Sequence, residues 1–169
     1  MSAPTASLYT PEALPVVATG ARQWFNRAGH ALVCAVVPGF IRHRFGVWSW
    51  KEVIKLHGDY NPLISPQDPR FNKPQPVDRL VRWGIPFPKN GNPWPKPFQK
   101  YSKSWSMDNV WDWMPPQELR AWVHVWRSHP NGQHGLDAAL TGLAGVGNAG
   151  MVDLLLKQGA DPNAHLQDL

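Results

Sequence analysis

Between Asn61 and Trp105 a proline stands at Pro62, Pro66, Pro69, Pro74, Pro76, Pro86, Pro88, Pro93, Pro95 and Pro97. Proline lacks an amide hydrogen, fixes φ, and drives the preceding residue out of the α region. Such a stretch cannot run as continuous helix or sit in the middle of a sheet. The segment Pro93-Trp-Pro-Lys-Pro-Phe98 is expected to be extended. A disordered linker is the simple alternative, but disordered segments are poor in aromatics. This one carries Trp83, Phe87, Trp94, Phe98 and Trp105. The expectation is an ordered wrap lying along another surface, as polyproline segments lie in aromatic-lined grooves.

Tryptophan supports that expectation. The chain holds 10 tryptophans and 18 prolines among 169 residues, with only 17% charged residues. Tryptophan concentrates at protein interfaces and at membrane–water boundaries. A chain of this composition is expected to spread over partners. A compact protein with a tryptophan-heavy core is the alternative.

The net charge is +5 and unevenly placed. Within the first fifty residues Arg22, Arg27, Arg42 and Arg44 face one acid, Glu12. Between Asp78 and Asp108 there is no acid, but there are Arg79, Arg82, Lys89, Lys96, Lys100 and Lys103. Basic residues interleaved with Trp83, Trp94, Phe98 and Tyr101 suit stacked bases and phosphates. They suit anionic head groups or an acidic protein surface equally well. No nucleic-acid motif accompanies them, so nucleic acid is the less favoured partner.

The acid-poor, arginine-bearing stretch 1–47 is similar to an organellar transit sequence. Its most apolar run is Ala31 to Ile41. As helix it would cover about 16 Å, half of a bilayer's hydrocarbon core, and arginines flank it on both sides. Three readings stand: a short, partly inserted helix with snorkelling arginines, a segment in a cleft between other subunits, or a core helix of this chain. Cys34 is the only cysteine, which excludes an internal disulfide and a cysteine-based metal site. Its apolar neighbours predict a small buried hydrophobe.

Two further helices are predicted. In Trp48 to Gly58, Ser49 and Glu52 have capping-box spacing, Trp48 is placed to staple against Val53, and Gly58 ends the helix. In Trp111 to Arg127, Pro115 and Pro116 suit a first turn and Glu118 favours its positive end. Leu119, Trp122, Val123 and Trp126 then form an i, i+3, i+4, i+7 stripe.

No catalytic constellation is visible. The 7 histidines are scattered, and His129 and His134 lack metal-site spacing and partners. His43 between Arg42 and Arg44 reads as a surface charge cluster. Gly145-Val-Gly147-Asn-Ala-Gly150 matches a dinucleotide fingerprint, but no β-branched run precedes it and too little chain follows for a βαβ unit. No catalytic residue, cofactor or metal is expected.

The tail is the most specific stretch. Leu140, Ala144, Gly147, Val152, Leu154, Leu155, Leu156, Gly159, Ala160, Asp161 and Asn163 fall where an ankyrin repeat wants them. Residues 135–165 resemble one such repeat. The match is strong from Met151 to Ala164 and weak at the opening, where Ala138-Ala139-Leu140-Thr141 replaces the family's Thr-Pro-Leu-His. Gly142, Gly145 and Gly147 predict a short or irregular first helix. The resemblance implies protein–protein contact and no chemistry. A lone repeat cannot bury its own apolar face, so this one must stack on the rest of the chain or on another protein. The stripe on Trp122 and Trp126 is the nearest candidate.

The expected fold is therefore mainly α, with long irregular Pro/Trp-rich extended segments and a C-terminal ankyrin-like helical hairpin. The expected divisions are 1–47, 48–130 and 131–169. In kind, though not in any motif, the chain resembles supernumerary subunits of mitochondrial membrane complexes. That resemblance implies a non-catalytic accessory subunit of a respiratory-chain or ATP-synthase complex at the mitochondrial inner membrane. Its partners would be other protein subunits, with membrane or lipid head-group contact. A soluble ankyrin-type adaptor and a basic RNA-contacting subunit of an organellar ribosome are the alternatives, and another organellar membrane or the cytoplasm the alternative locations. The candidate partner-binding residues are Trp83, Trp94, Phe98, Trp105, Trp111, Trp113, Trp122 and Trp126.

Overall fold

The structure is a computed structural model that describes residues 14–58, 76–91, 93, 116–145 and 147–164. Its helices are α1 (Gly20–Val36), α2 (Gly39–Arg44), α3 (Trp50–Gly58), α4 (Pro76–Arg82), α5 (Pro116–Ser128), α6 (Gln133–Gly145) and α7 (Ala149–Lys157). No strand occurs among the described residues. The mainly α expectation holds at that level.

Helix α5 is the axis of the core. It packs against α4 on one side and α6 on the other, and α6 packs against α7. Glu118, Leu119, Arg120, Ala121, Trp122, Val123, Val125 and Trp126 are all buried. A helix covered on nearly every side belongs in the middle of its fold. Pro116 and Glu118 stand in its first turn, as the sequence predicts. Trp122 and Trp126 stack with ring centroids 6.1 Å apart. Phe87 meets Trp122 and Trp50 edge-on, and Trp50 tilts against Trp122.

Among the described residues, three tryptophans enter this chain's own core: Trp50, Trp122 and Trp126. For these three the tryptophan-core alternative holds, and Trp122 and Trp126 are taken out of the set expected to bind partners. A second correction falls inside the proline-rich stretch. Residues 76–82 are helical rather than extended, and Val77, Leu80 and Val81 are buried against α5. Proline opens this helix, where its missing amide hydrogen costs nothing. Asp78 lies in the first turn and Arg82 reaches back to it at 2.8 Å. The helix closes at Gly84, whose φ is 70°. Gly84 N donates to Val81 O and Ile85 N to Leu80 O, the paired bonds of a glycine C-cap.

The terminal hairpin packs on α5, most closely at Trp126. A methyl group at Gly135 would fall inside the Trp126 indole. Helix α6 is regular over 13 residues, against the expectation of a short or irregular helix. Two of its three glycines, Gly135 and Gly142, are buried, and Gly145 at its end is exposed. Asp137, also buried, accepts from Asp161 N and Gln133 Nε2, each at 2.7 Å, and ties the turn after α7 to α6. In the Gly145–Gly150 stretch, Gly145 ends α6 and Ala149 and Gly150 begin α7, so a helix and not a strand precedes the fingerprint-like glycines.

Candidate interaction surface

Helix α1 is mounted with its polar side inward. Gln23, Asn26, His30 and Cys34 recur at helical spacing and, with Val33, are the partly buried positions of α1. Gln23 Nε2 and Arg27 Nε donate to Gly84 O at 3.3 and 2.8 Å. Asn26 donates to Trp83 O at 3.2 Å, and the His30 ring bonds Trp48 O at 2.7 Å. No residue of α1 is buried. The core-helix reading of residues 31–41 is corrected on this point and on continuity, because the chain breaks at Val37-Pro38 between α1 and α2.

The apolar side of α1 faces out. Trp24, Phe25, Leu32 and Val36 are each about two-thirds exposed, and Phe40 and Phe45 of the α2 region somewhat more. Of the large exposed apolar side chains among the described residues, all but Leu156 lie between Val16 and Phe45. Exposed large apolar side chains concentrated in one segment, rather than scattered singly, mark an interaction surface. Covering each of these side chains would be worth roughly 1–2 kcal/mol.

Below the face sits a charged latch. Arg42, only 7% exposed, forks onto Glu52 with bonds of 2.9 and 2.7 Å. It also donates to Val37 O at 2.9 Å, bracing the α1–α2 break. Glu52 in turn accepts from Ser49 N, while Glu52 N donates to Ser49 Oγ. This is the predicted capping box. Trp48, predicted as a staple on Val53, stacks face to face on His43 with centroids 3.7 Å apart. His43 Nε2 lies 3.4 Å from Glu52 Oε1. The cluster read as surface charge is thus anchored: Arg42 inside, His43 half-buried, Arg44 exposed.

The Arg42 guanidinium holds the Glu52 carboxyl well below the usual carboxylate range. Burial opposes that shift, and Ser49 and His43 add to it. Cys34 is only partly buried and lies 3.7 Å from Arg42 Nη1, not among apolar atoms alone as its neighbours in sequence suggest. Burial pushes its thiol upward despite Arg42, which keeps it protonated and a weak nucleophile.

Two hollows adjoin these elements. One, of about 590 Å3, lies beside α2 and is lined by Phe40, His43, Arg44, Phe45, Gly46, Trp48 and Arg79. Arg79 is held there by a 2.7 Å bond to Phe45 O and lies 5.7 Å from the Trp83 ring centroid. The other, of about 470 Å3, lies beside α5 and includes Arg27, Trp50, Phe87, Lys89, His124 and His129. Burial lowers the His124 pKa, so it favours the neutral ring near pH 7. Among the described residues no three His, Cys, Asp or Glu side chains group as metal ligands. None of their helices is long and apolar enough to cross a membrane.

The sequence-predicted partner residues fall into three sets. Trp83 is half-buried beside α1. Trp122 and Trp126 are each 1% exposed and belong to the core, beyond a partner's reach in this fold. Trp126 Nε1 donates to Pro93 O at 2.9 Å, so the proline-rich segment is tethered to α5 at that point. Trp94, Phe98, Trp105, Trp111 and Trp113 lie outside the described residues. The outward set Trp24, Phe25, Leu32, Val36, Phe40 and Phe45 escaped sequence reading. Two-faced periodicity was present in 20–36, but periodicity does not say which face is covered. In comparisons with known proteins, no family model, curated protein or solved structure matches the chain.

Proposed function

We propose that this chain is a non-catalytic accessory subunit of a large membrane-associated assembly, of the kind built around a mitochondrial respiratory-chain or ATP-synthase complex. The observation that carries the reading is α1 mounted with its polar side on the body and its apolar side outward. An uncovered face of this kind favours association over a free monomer. The acid-poor, arginine-bearing N-terminal stretch supports an organellar destination. Within the same proposal, α6 and α7 form a single ankyrin-like unit that uses α5 as its stacking neighbour. The Trp/Pro-rich segment leaving Pro93 adds a second contact, with Trp94 and Phe98 as anchors.

Native extraction tests this. The tagged protein, released from membranes in mild detergent, should migrate at high molecular mass on native electrophoresis. Recovery as a small species in the soluble fraction would overturn the reading. It would favour a soluble adaptor, for which exposed Leu156 on α7 is the supporting feature.

A further inference from the structure

We infer that the outward face of α1–α2 seats on an anionic phospholipid surface. Trp24, Phe25, Leu32 and Val36 would enter the head-group boundary, and the hollow beside α2 would receive a lipid phosphate. The inference rests on the accessory-subunit reading and names the occupant of its main surface.

Geometry is the first support. The 17 residues of α1 rise about 26 Å, and the helix is held along its polar edge at Gln23, Asn26, Arg27 and His30. Such a helix is placed to lie in an interface rather than cross it, as amphipathic interfacial helices do. None of the described helices meets the length and apolarity of a span. Aromatic rings at the head-group level are the usual anchors of such elements.

Charge is the second. Across residues 14–55 the acid is Glu52, and Arg42 neutralises it. Arg22, Arg27, Arg44, Lys51 and Lys55 remain, with no further acid in that span and all five exposed. A net cationic segment that carries an apolar helix face complements an anionic leaflet. A purely apolar protein groove would cover the face but leave these cations unmatched.

The hollow is the third. Arg44 and Arg79 bring two guanidinium groups to a lining shared with Phe40, Phe45 and the His43–Trp48 stack. Guanidinium is the group of choice for phosphate oxygens. Exposed Phe40 and Phe45 at the rim would meet the first acyl carbons while the phosphate sits between the arginines.

Vesicle flotation with the full chain tests the inference. Vesicles of phosphatidylcholine alone are compared with vesicles containing phosphatidylglycerol. The chain should float with the second and not the first, and added salt should release it. Trp24→Ser with Phe25→Ser should lower the bound fraction about tenfold or more, and Arg44→Gln about fivefold. Leu156→Ser, exposed on another helix, should change nothing. All four side chains are exposed, so circular dichroism should report an intact fold. No flotation with phosphatidylglycerol, or flotation unchanged in the double variant, would overturn the inference. If the double variant also drops out of the native high-mass species while wild type ignores vesicles, the face docks on protein. The accessory-subunit reading then stands and the lipid inference fails. If wild type floats but extracts as a small species, the reverse holds.

Discussion

Arg42 enters the interior as a charge, and Glu52 offsets its desolvation with two bonds. Removing one partner of such a pair leaves the other charge uncompensated, at about 3–5 kcal/mol when both are fully buried. Glu52 is 27% exposed, so Glu52→Gln should cost roughly 2–3 kcal/mol. The pH dependence follows from the depressed carboxyl. The unfolded chain takes up a proton near the ordinary glutamate value of about 4.3, the folded chain only at lower pH. The contribution is therefore complete above about pH 5 and is lost as pH falls below the unfolded value toward the folded one. Urea midpoints of wild type and Glu52→Gln, in mild detergent, should differ near neutrality and converge in acid. A gap that stays constant down to about pH 3 would break the link. Gly135 offers a second test. Gly135→Ala pushes a methyl into the Trp126 indole, and overpacking of this sort typically costs about 1–3 kcal/mol. A variant that melts with wild type would mean that α5 and α6 can separate without loss.

Helices α1 and α5 show opposite ways of being held. Helix α5 is buried along most of its length, while α1 is fastened mainly by side-chain bonds to the carbonyls of Trp48, Trp83 and Gly84. Such bonds contribute only about 0.5–1.5 kcal/mol each, and somewhat more for the guanidinium. Without a partner, α1 should open well before the core. Amide exchange in α1 should be faster than in α5, and Arg27→Ala should speed it further while leaving α5 unchanged. Equal protection of both helices would refute this. Helix α4 makes a different point. The interval from Pro76 to Pro86 holds nine residues without proline, long enough for two turns. Its opening proline, Asp78, Arg82 and Gly84 are ordinary start and stop signals. Counting prolines over the whole stretch obscured them.

At the scale of the molecule, a buried aromatic core coexists with an uncovered apolar face, and the two should respond differently to substitution. Trp122→Ala or Trp126→Ala should cost about 3–5 kcal/mol, read as a lowered thermal midpoint. Trp24→Ser with Phe25→Ser should leave that midpoint unchanged. It should instead make the isolated chain less prone to associate, read by light scattering. Wild type that is monodisperse without detergent would count against the exposed face as an interaction surface.

Local chemistry was readable directly. The Ser49–Glu52 box, the α5 start at Pro116 and Glu118, the stripe from Leu119 to Trp126, and the stop at Gly159 all rest on contacts within about one helical turn. Residue order sets those contacts. What the order of residues could not decide was coverage. The polar and apolar sides of 20–36 are equally plain in the chain. Only the bonds to Trp48, Trp83 and Gly84 turned the polar side inward. Trp122 and Trp24 carry the same indole, and one is 1% and the other 64% exposed. That difference comes from neighbours distant in sequence, because burial depends on which surfaces meet and not on the side chain alone.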